Sequence, residues 1–450
     1  MKTCEYLNGA RWSAIRGFPV GCLDEVLHRT TEVEFRSLFH VKGSSIMQEV
    51  QSNLAIPVEA VVADVPERSF RYQTLDAWRG FACILIVVFH STMHVKAALE
   101  PDGTWWNRLG FLLLAATKHL NVGVPIFFVI SGYCIMATLD ARRRNGEGVR
   151  VYFWRRFHRI YPPYWAALAI SSLVIVLVER VFWPGLLTRG AFKINSPLSL
   201  NTWEWLGNLT LTESWRYHLT GGRVRYLLGH AWTLCFEEQF YILAGLILLF
   251  APRRMFLAAF LVTVSIPFVV VGVNRIGWNL EGTVIGGEWY FFAAGIAAYY
   301  RTQYAGRVGR VLSFALLVIA VFLPVLDPRH RLLAGSDLRF NWVIAMLCAF
   351  LLATLHRYDA LMSQWRILRP FTACGTICYS LYLIHPLVTT GVGHACYQWG
   401  LRGNWETLLV TLPVSVTLSL AVSAGFFVLV ERHFLNSSPK TQKAIQFAIA

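Results

Sequence analysis

Arg79 and His90 lie in one apolar segment, Leu75-Asp76-Ala77-Trp78-Arg79-Gly80-Phe81-Ala82-Cys83-Ile84-Leu85-Ile86-Val87-Val88-Phe89-His90. The eleven-residue separation is close to three helical turns, so both side chains share one face about 16 Å apart. Ionisable groups inside a membrane-spanning helix are costly and mark functional candidates. A guanidinium can hold an anion, and an imidazole can exchange a proton near neutral pH. Asp76, three residues before Arg79, can pair with it. The plainer reading is an ion pair at the membrane face plus a core histidine bonded to a neighbouring helix. His94, one turn beyond His90, has no thiolate or carboxylate partner in view, so no metal site is expected.

Four further segments carry polar groups in or beside apolar runs. Gly123-Val124-Pro125-Ile126-Phe127-Phe128-Val129-Ile130-Ser131-Gly132-Tyr133 reads as close helix packing. Arg155, Arg156 and Arg159, interleaved with Phe157 and Tyr161, could grip phosphates or serve only as orientation charges. Trp232-Thr233-Leu234-Cys235-Phe236-Glu237-Glu238-Gln239-Phe240-Tyr241 places two adjacent carboxylates in one span. Adjacent helical residues point about 100° apart, so only one faces the interior. Glu237 is expected there, at the height of His90, where a carboxylate can orient an imidazole and balance its charge. Glu238 is expected to matter less. In Tyr379-Ser380-Leu381-Tyr382-Leu383-Ile384-His385-Pro386, proline removes a backbone donor, and His385 sits mid-span. A kinked helix with a satisfied histidine is the alternative there.

These groups need a membrane scaffold to position them. The chain has 450 residues, 55% hydrophobic and only 15% charged. Its apolar residues cluster in runs near the roughly twenty needed to cross a bilayer. The expected fold is therefore all-α, a polytopic membrane bundle of about ten transmembrane helices. The spans are expected near 75–95, 121–140, 160–180, 231–251, 255–274, 284–300, 310–326, 340–356, 373–395 and 405–430. The net charge of +15 lies largely in short loops between these runs. It reads as an orientation signal rather than a nucleic-acid surface. Loops holding Arg142–Arg159, Arg253–Arg254, Arg301–Arg310 and Arg357–Arg369 fall on one side when both termini are cytoplasmic. Arg329, Arg331 and Arg339 fall on the other, as does a long outer loop at 181–230 with Trp183, Trp203, Trp205 and Trp215. The nine cysteines show no CxxC pair or metal-like spacing and read as small buried residues. No cleavable signal peptide is expected. Residues 1–70 are expected as a cytoplasmic extension, a soluble cap or a partly disordered segment, with Met47 an internal candidate start. Residues 71–431 would form the membrane domain and 432–450 a short cytoplasmic tail.

In this order the segments resemble the acyltransferase-3 family of integral-membrane acyltransferases, of the carbohydrate O-acyltransferase type. The matching pieces run from Leu75-Asp76-x-x-Arg79-Gly80 with His90, through Val-Pro-Ile-Phe-Phe-Val-Ile-Ser-Gly-Tyr and Arg-Arg-Phe-x-Arg-Ile-Tyr-Pro. They continue through Trp-Thr-Leu-x-x-Glu-Glu-Gln-Phe-Tyr and Tyr-Ser-Leu-Tyr-Leu-Ile-His-Pro to Glu431-Arg432. His433 stands where the family often has proline. The resemblance implies an acyltransferase, transferring groups other than aminoacyl groups, in the inner (cytoplasmic) membrane. It implies acetyl-CoA or another acyl-CoA as donor substrate, with no bound cofactor. The implied acceptor is a hydroxyl of a cell-surface or exported carbohydrate or lipid-linked glycan. Arg79, Arg155, Arg156 and Arg159 would bind the donor, His90 would be general base, and Glu237 would support it. Asp76, Trp232, Glu238, Tyr382 and His385 complete the expected site. Some family members carry an esterase-like domain after the last span. None is expected here; if the pathway needs one, a separate periplasmic partner must supply it. The alternative reading is a transporter or flippase using the same Arg, His and Glu as a substrate or proton path. It predicts an internal repeat, which is not visible in the sequence.

Overall fold

The computed structural model describes residues 72–95, 103–188, 193–277, 280–285, 288–304 and 338–435, with isolated positions 306, 309, 311 and 315. The expected extension 1–70, nearly all of the span expected at 310–326 and the tail beyond 435 lie outside the described residues. Among the described residues the fold is all-α. The helices are α1 (Leu75–Thr92), α2 (Trp105–Thr117), α3 (Gly123–Arg144), α4 (Val149–Leu177), α5 (Thr202–Thr210), α6 (Glu213–Thr220) and α7 (Trp232–Phe250). They continue with α8 (Met255–Arg275), α9 (Trp289–Gln303), α10 (Leu338–Leu355), α11 (Arg369–Thr376), α12 (Cys378–Gln398) and α13 (Leu412–Leu429).

Seven helical stretches among the described residues are long and apolar enough to cross a membrane. The pair α11–α12, bent by 75°, raises this to eight if it counts as one span. The expected ten is not confirmed among the described residues, since the span expected at 310–326 lies almost wholly outside them. The segment expected at 284–300 forms α9, only 15 residues long, which is short for a crossing. Helix α2 was not anticipated. Its 13 residues fall below the length of a span.

Helix α1 packs against α11, α12 and α3. The approach to α11 is very close and glycine permits it. A Cβ on Gly80 would lie 1.8 Å from the Phe371 carbonyl oxygen, and one on Gly375 would lie 1.8 Å from that of Asp76. The start of α1 is clamped by the buried Asp359 carboxylate. It accepts from the Gln73 and Thr74 amides at 2.6 and 2.9 Å and from the Thr74 hydroxyl at 2.8 Å. Helix α3 packs against α9 and α7. At its end the fully buried Asp140 accepts from the Tyr299 and Tyr304 hydroxyls and pairs with Arg143 and Arg144 at 2.8 and 2.5 Å. Those two arginines are thus held by a buried carboxylate. In the 181–230 region, Glu213 pairs with Arg216 at 2.7 Å, and that hydrogen bond raises the Arg216 pKa.

Gly375→Ala should therefore force α1 and α11 apart. Overpacking of this kind costs about 1–3 kcal/mol, a drop of a few degrees in Tm. Gly425→Ala, where an added Cβ meets nothing within 4 Å, should be neutral or slightly stabilising. Thermal unfolding of both variants in detergent checks this.

Candidate active site

A cavity of about 350 Å3 opens between α1, α3, α4, α7 and α12. Arg79 and His90 both line it, so the shared face inferred from their spacing is a shared cavity wall. Arg79 pairs with Asp76 at 3.5 Å, but Asp76 stands outside the lining.

His90 is held by a neighbouring histidine. Its Nδ1 lies 3.1 Å from the Ile86 carbonyl oxygen and 3.1 Å from Nε2 of His385. Nδ1 of His385 lies 2.7 Å from the Leu381 carbonyl oxygen. A carbonyl only accepts, so His385 Nδ1 carries the proton and, in the neutral ring, its Nε2 is an acceptor. His90 Nδ1 then faces two acceptors and must donate. Neutral His90 is left with a bare Nε2, and among the described residues nothing hydrogen-bonds to that nitrogen. Bonding at one ring nitrogen thus fixes which tautomer meets the cavity. Pro386 contributes to the local geometry, because it cannot donate to the Tyr382 carbonyl one turn back.

Glu237 also lines the cavity, but its hydrogen bonds run elsewhere than expected. Its Oε1 accepts from the Ser131 hydroxyl and from the Tyr241 hydroxyl, the latter at 2.5 Å. It makes no hydrogen bond to His90. Ser131, read from sequence as a packing residue, is therefore a partner of the cavity carboxylate. Glu238 points away from the cavity, beside Tyr161. Trp232 and Tyr382 line the wall, and the Tyr382 hydroxyl donates to the His230 carbonyl at 2.9 Å.

Three of the four expected donor-binding arginines line the cavity: Arg79, Arg156 and Arg159. Arg156 stacks over the Tyr241 ring at 4.9 Å and reaches the Thr138 hydroxyl at 3.4 Å. Arg155 is exposed and outside the lining. Against these three guanidiniums the lining holds one carboxylate, Glu237, so the cavity suits an anionic ligand. Sequence reasoning missed His230, which lines the same wall. Its position two residues before Trp232 was the available signal, masked because it falls where a span meets a long loop. Cys83 and Cys378 also line the cavity, with Cys83 Sγ 3.6 Å from the Cys378 carbonyl oxygen.

A family model described as "Acyltransferase domain" (Acyl_transf_3) matches residues 72–424. The chain is 25% identical over 336 residues to the O-acetyltransferase OatA of Staphylococcus aureus, covering 69% of this chain and 49% of that protein. It is 23% identical over 354 residues to the peptidoglycan O-acetyltransferase OatA of Listeria monocytogenes, covering 72% of this chain and 51% of that protein. The chain thus spans about half the length of the curated relatives it matches. No solved structure matches it.

The two bonds to Glu237 give a stability test. Glu237→Ala strands the Ser131 and Tyr241 hydroxyls, at a cost of about 1–3 kcal/mol. Glu237→Gln keeps an acceptor oxygen there and should unfold close to wild type. Equal thermal unfolding of the Ala variant and wild type would contradict the arrangement.

Proposed function

Because the chain belongs to the acyltransferase-3 family, we propose that it transfers an acetyl group from acetyl-CoA to a hydroxyl of a cell-surface or exported carbohydrate. The observation that carries this is one cavity lined by both the bare nitrogen of His90 and three guanidiniums. The names of the relatives, O-acetyltransferases and in one case a peptidoglycan O-acetyltransferase, support the acetyl group and the carbohydrate acceptor.

In this reading Arg79, Arg156 and Arg159 hold the anionic donor, and exposed Arg155 adds positive charge on the same helix. His90 Nε2 takes the proton of the acceptor hydroxyl as its oxygen attacks the thioester carbonyl. The C–S bond breaks, and the coenzyme A thiolate receives that proton back from His90. His385 is a positioning residue that holds the His90 tautomer. Glu237 is spaced from His90 and acts on the charge balance of the cavity, beside Arg156. Both termini are assigned to the cytoplasm, so that the arginines meet a cytoplasmic donor at the inner membrane. Family membership favours this chemistry over the transporter reading.

Purified protein given labelled acetyl-CoA tests the proposal. His90→Ala should lower acetyl transfer or thioester cleavage by about 10²–10⁴-fold while donor affinity is kept. Arg79→Ala, Arg156→Ala and Arg159→Ala should each weaken donor binding, by about tenfold for 1.4 kcal/mol lost. Turnover at the wild-type rate in His90→Ala would remove His90 from the mechanism. Unchanged donor affinity in all three arginine variants would return them to a structural role.

A further inference from the structure

His230 is the one cavity-lining imidazole that the mechanism above leaves without work. It is 7% exposed, and neither of its ring nitrogens has a hydrogen-bond partner. A buried polar group without a partner is costly, so natural chains retain one where something else repays the cost. The backbone around it is well fixed. Its carbonyl accepts from Tyr382 at 2.9 Å and from the Thr233 hydroxyl at 3.2 Å, and its ring packs edge-on against Tyr382 at 4.6 Å. Its backbone position is therefore set, while its ring stands at the cavity wall with both nitrogens buried and unpartnered. The ring centroid lies 5.6 Å from that of His385, which in turn lies 5.0 Å from that of His90.

Several other polar groups that line the cavity are already engaged. The proton on His385 Nδ1 goes to the Leu381 carbonyl, the Tyr382 hydroxyl to the His230 carbonyl, and Ser131 and Tyr241 to Glu237. We propose that the ring N–H of His230 donates a hydrogen bond to the acyl carbonyl oxygen and stabilises the oxyanion that forms when the thioester is attacked. This rests on the acyl-transfer reading above. As the acceptor oxygen bonds to the carbonyl carbon, its proton passes to His90 Nε2 and the C=O π pair moves to the oxygen facing His230. When that pair re-forms the double bond, the C–S bond breaks and the thiolate takes the proton from His90. His230 keeps its own proton throughout, so a neutral imidazole is sufficient for the role.

The test compares wild type, His230→Phe and His230→Gln as full-length protein in detergent, with acetyl-CoA as donor and water as acceptor. His230→Phe keeps a ring of similar shape and removes the unpartnered nitrogens. It should unfold at or above the wild-type temperature, lower kcat by about 10²-fold and leave KM for acetyl-CoA within twofold. His230→Gln, which retains an N–H, should recover part of kcat. Wild-type kcat in His230→Phe would overturn the proposal. So would a loss of kcat accompanied by a marked drop in thermal stability, or a rise in KM at unchanged kcat. Absence of thioester cleavage by the wild-type protein would instead overturn the acyl-transfer reading itself.

Discussion

One hydrogen bond organises the cavity, that between His90 Nδ1 and His385 Nε2 at 3.1 Å. An imidazole in an apolar bundle has two nitrogens and, when neutral, one proton. If that proton pointed into the cavity, His90 could not accept another. The Leu381 carbonyl settles the His385 tautomer, and His385 settles that of His90. The pairing replaces the carboxylate–imidazole arrangement expected from sequence. It holds the imidazole without placing a fixed negative charge beside it. The cavity carboxylate, Glu237, is satisfied by two hydroxyls and faces the guanidiniums.

The scaffold serves that pairing. Helix α1 must approach α11 and α12 closely enough for two imidazoles on different helices to bond, and Gly80 and Gly375 allow the backbones to meet. The 75° bend between α11 and α12 redirects the chain just before the segment carrying Cys378, Tyr382 and His385. Asp359 anchors the start of α1, which fixes the height of Arg79 and His90 along the bundle. Arginine is costly in such surroundings unless it is paired, stacked or bound to an anion. Arg79 has Asp76 and Arg156 has Tyr241, and the excess positive charge faces the cavity.

Much of this was legible in the sequence, because helical periodicity and intramembrane charge are local signals. The Arg79–His90 spacing led directly to one cavity wall, Glu237 and His385 stood out as polar groups in an apolar run, and Tyr382 came from the family resemblance. Partners across helices were not legible. Nothing in the spacing says that His385 rather than Glu237 meets His90, or that Ser131 and Tyr241 meet Glu237, since these contacts depend on how separate helices pack. His230 escaped because a histidine at a loop–helix junction looks ordinary until both its nitrogens prove buried. Helix lengths among the described residues were not legible for a related reason. A 13-residue α2 and a 15-residue α9 fit the bundle although neither has the length of a span.

The tautomer of His90 tests this account most directly. Nitrogen NMR of histidine-labelled protein, with His90 assigned by its loss in His90→Gln, reads the protonation of each ring nitrogen. At a pH where the ring is neutral, His90 should show a protonated Nδ1 and a bare Nε2, and His385→Ala should erode that preference. A protonated Nε2 on His90 in the wild-type protein would contradict the account, because the nitrogen facing the cavity could then accept no proton.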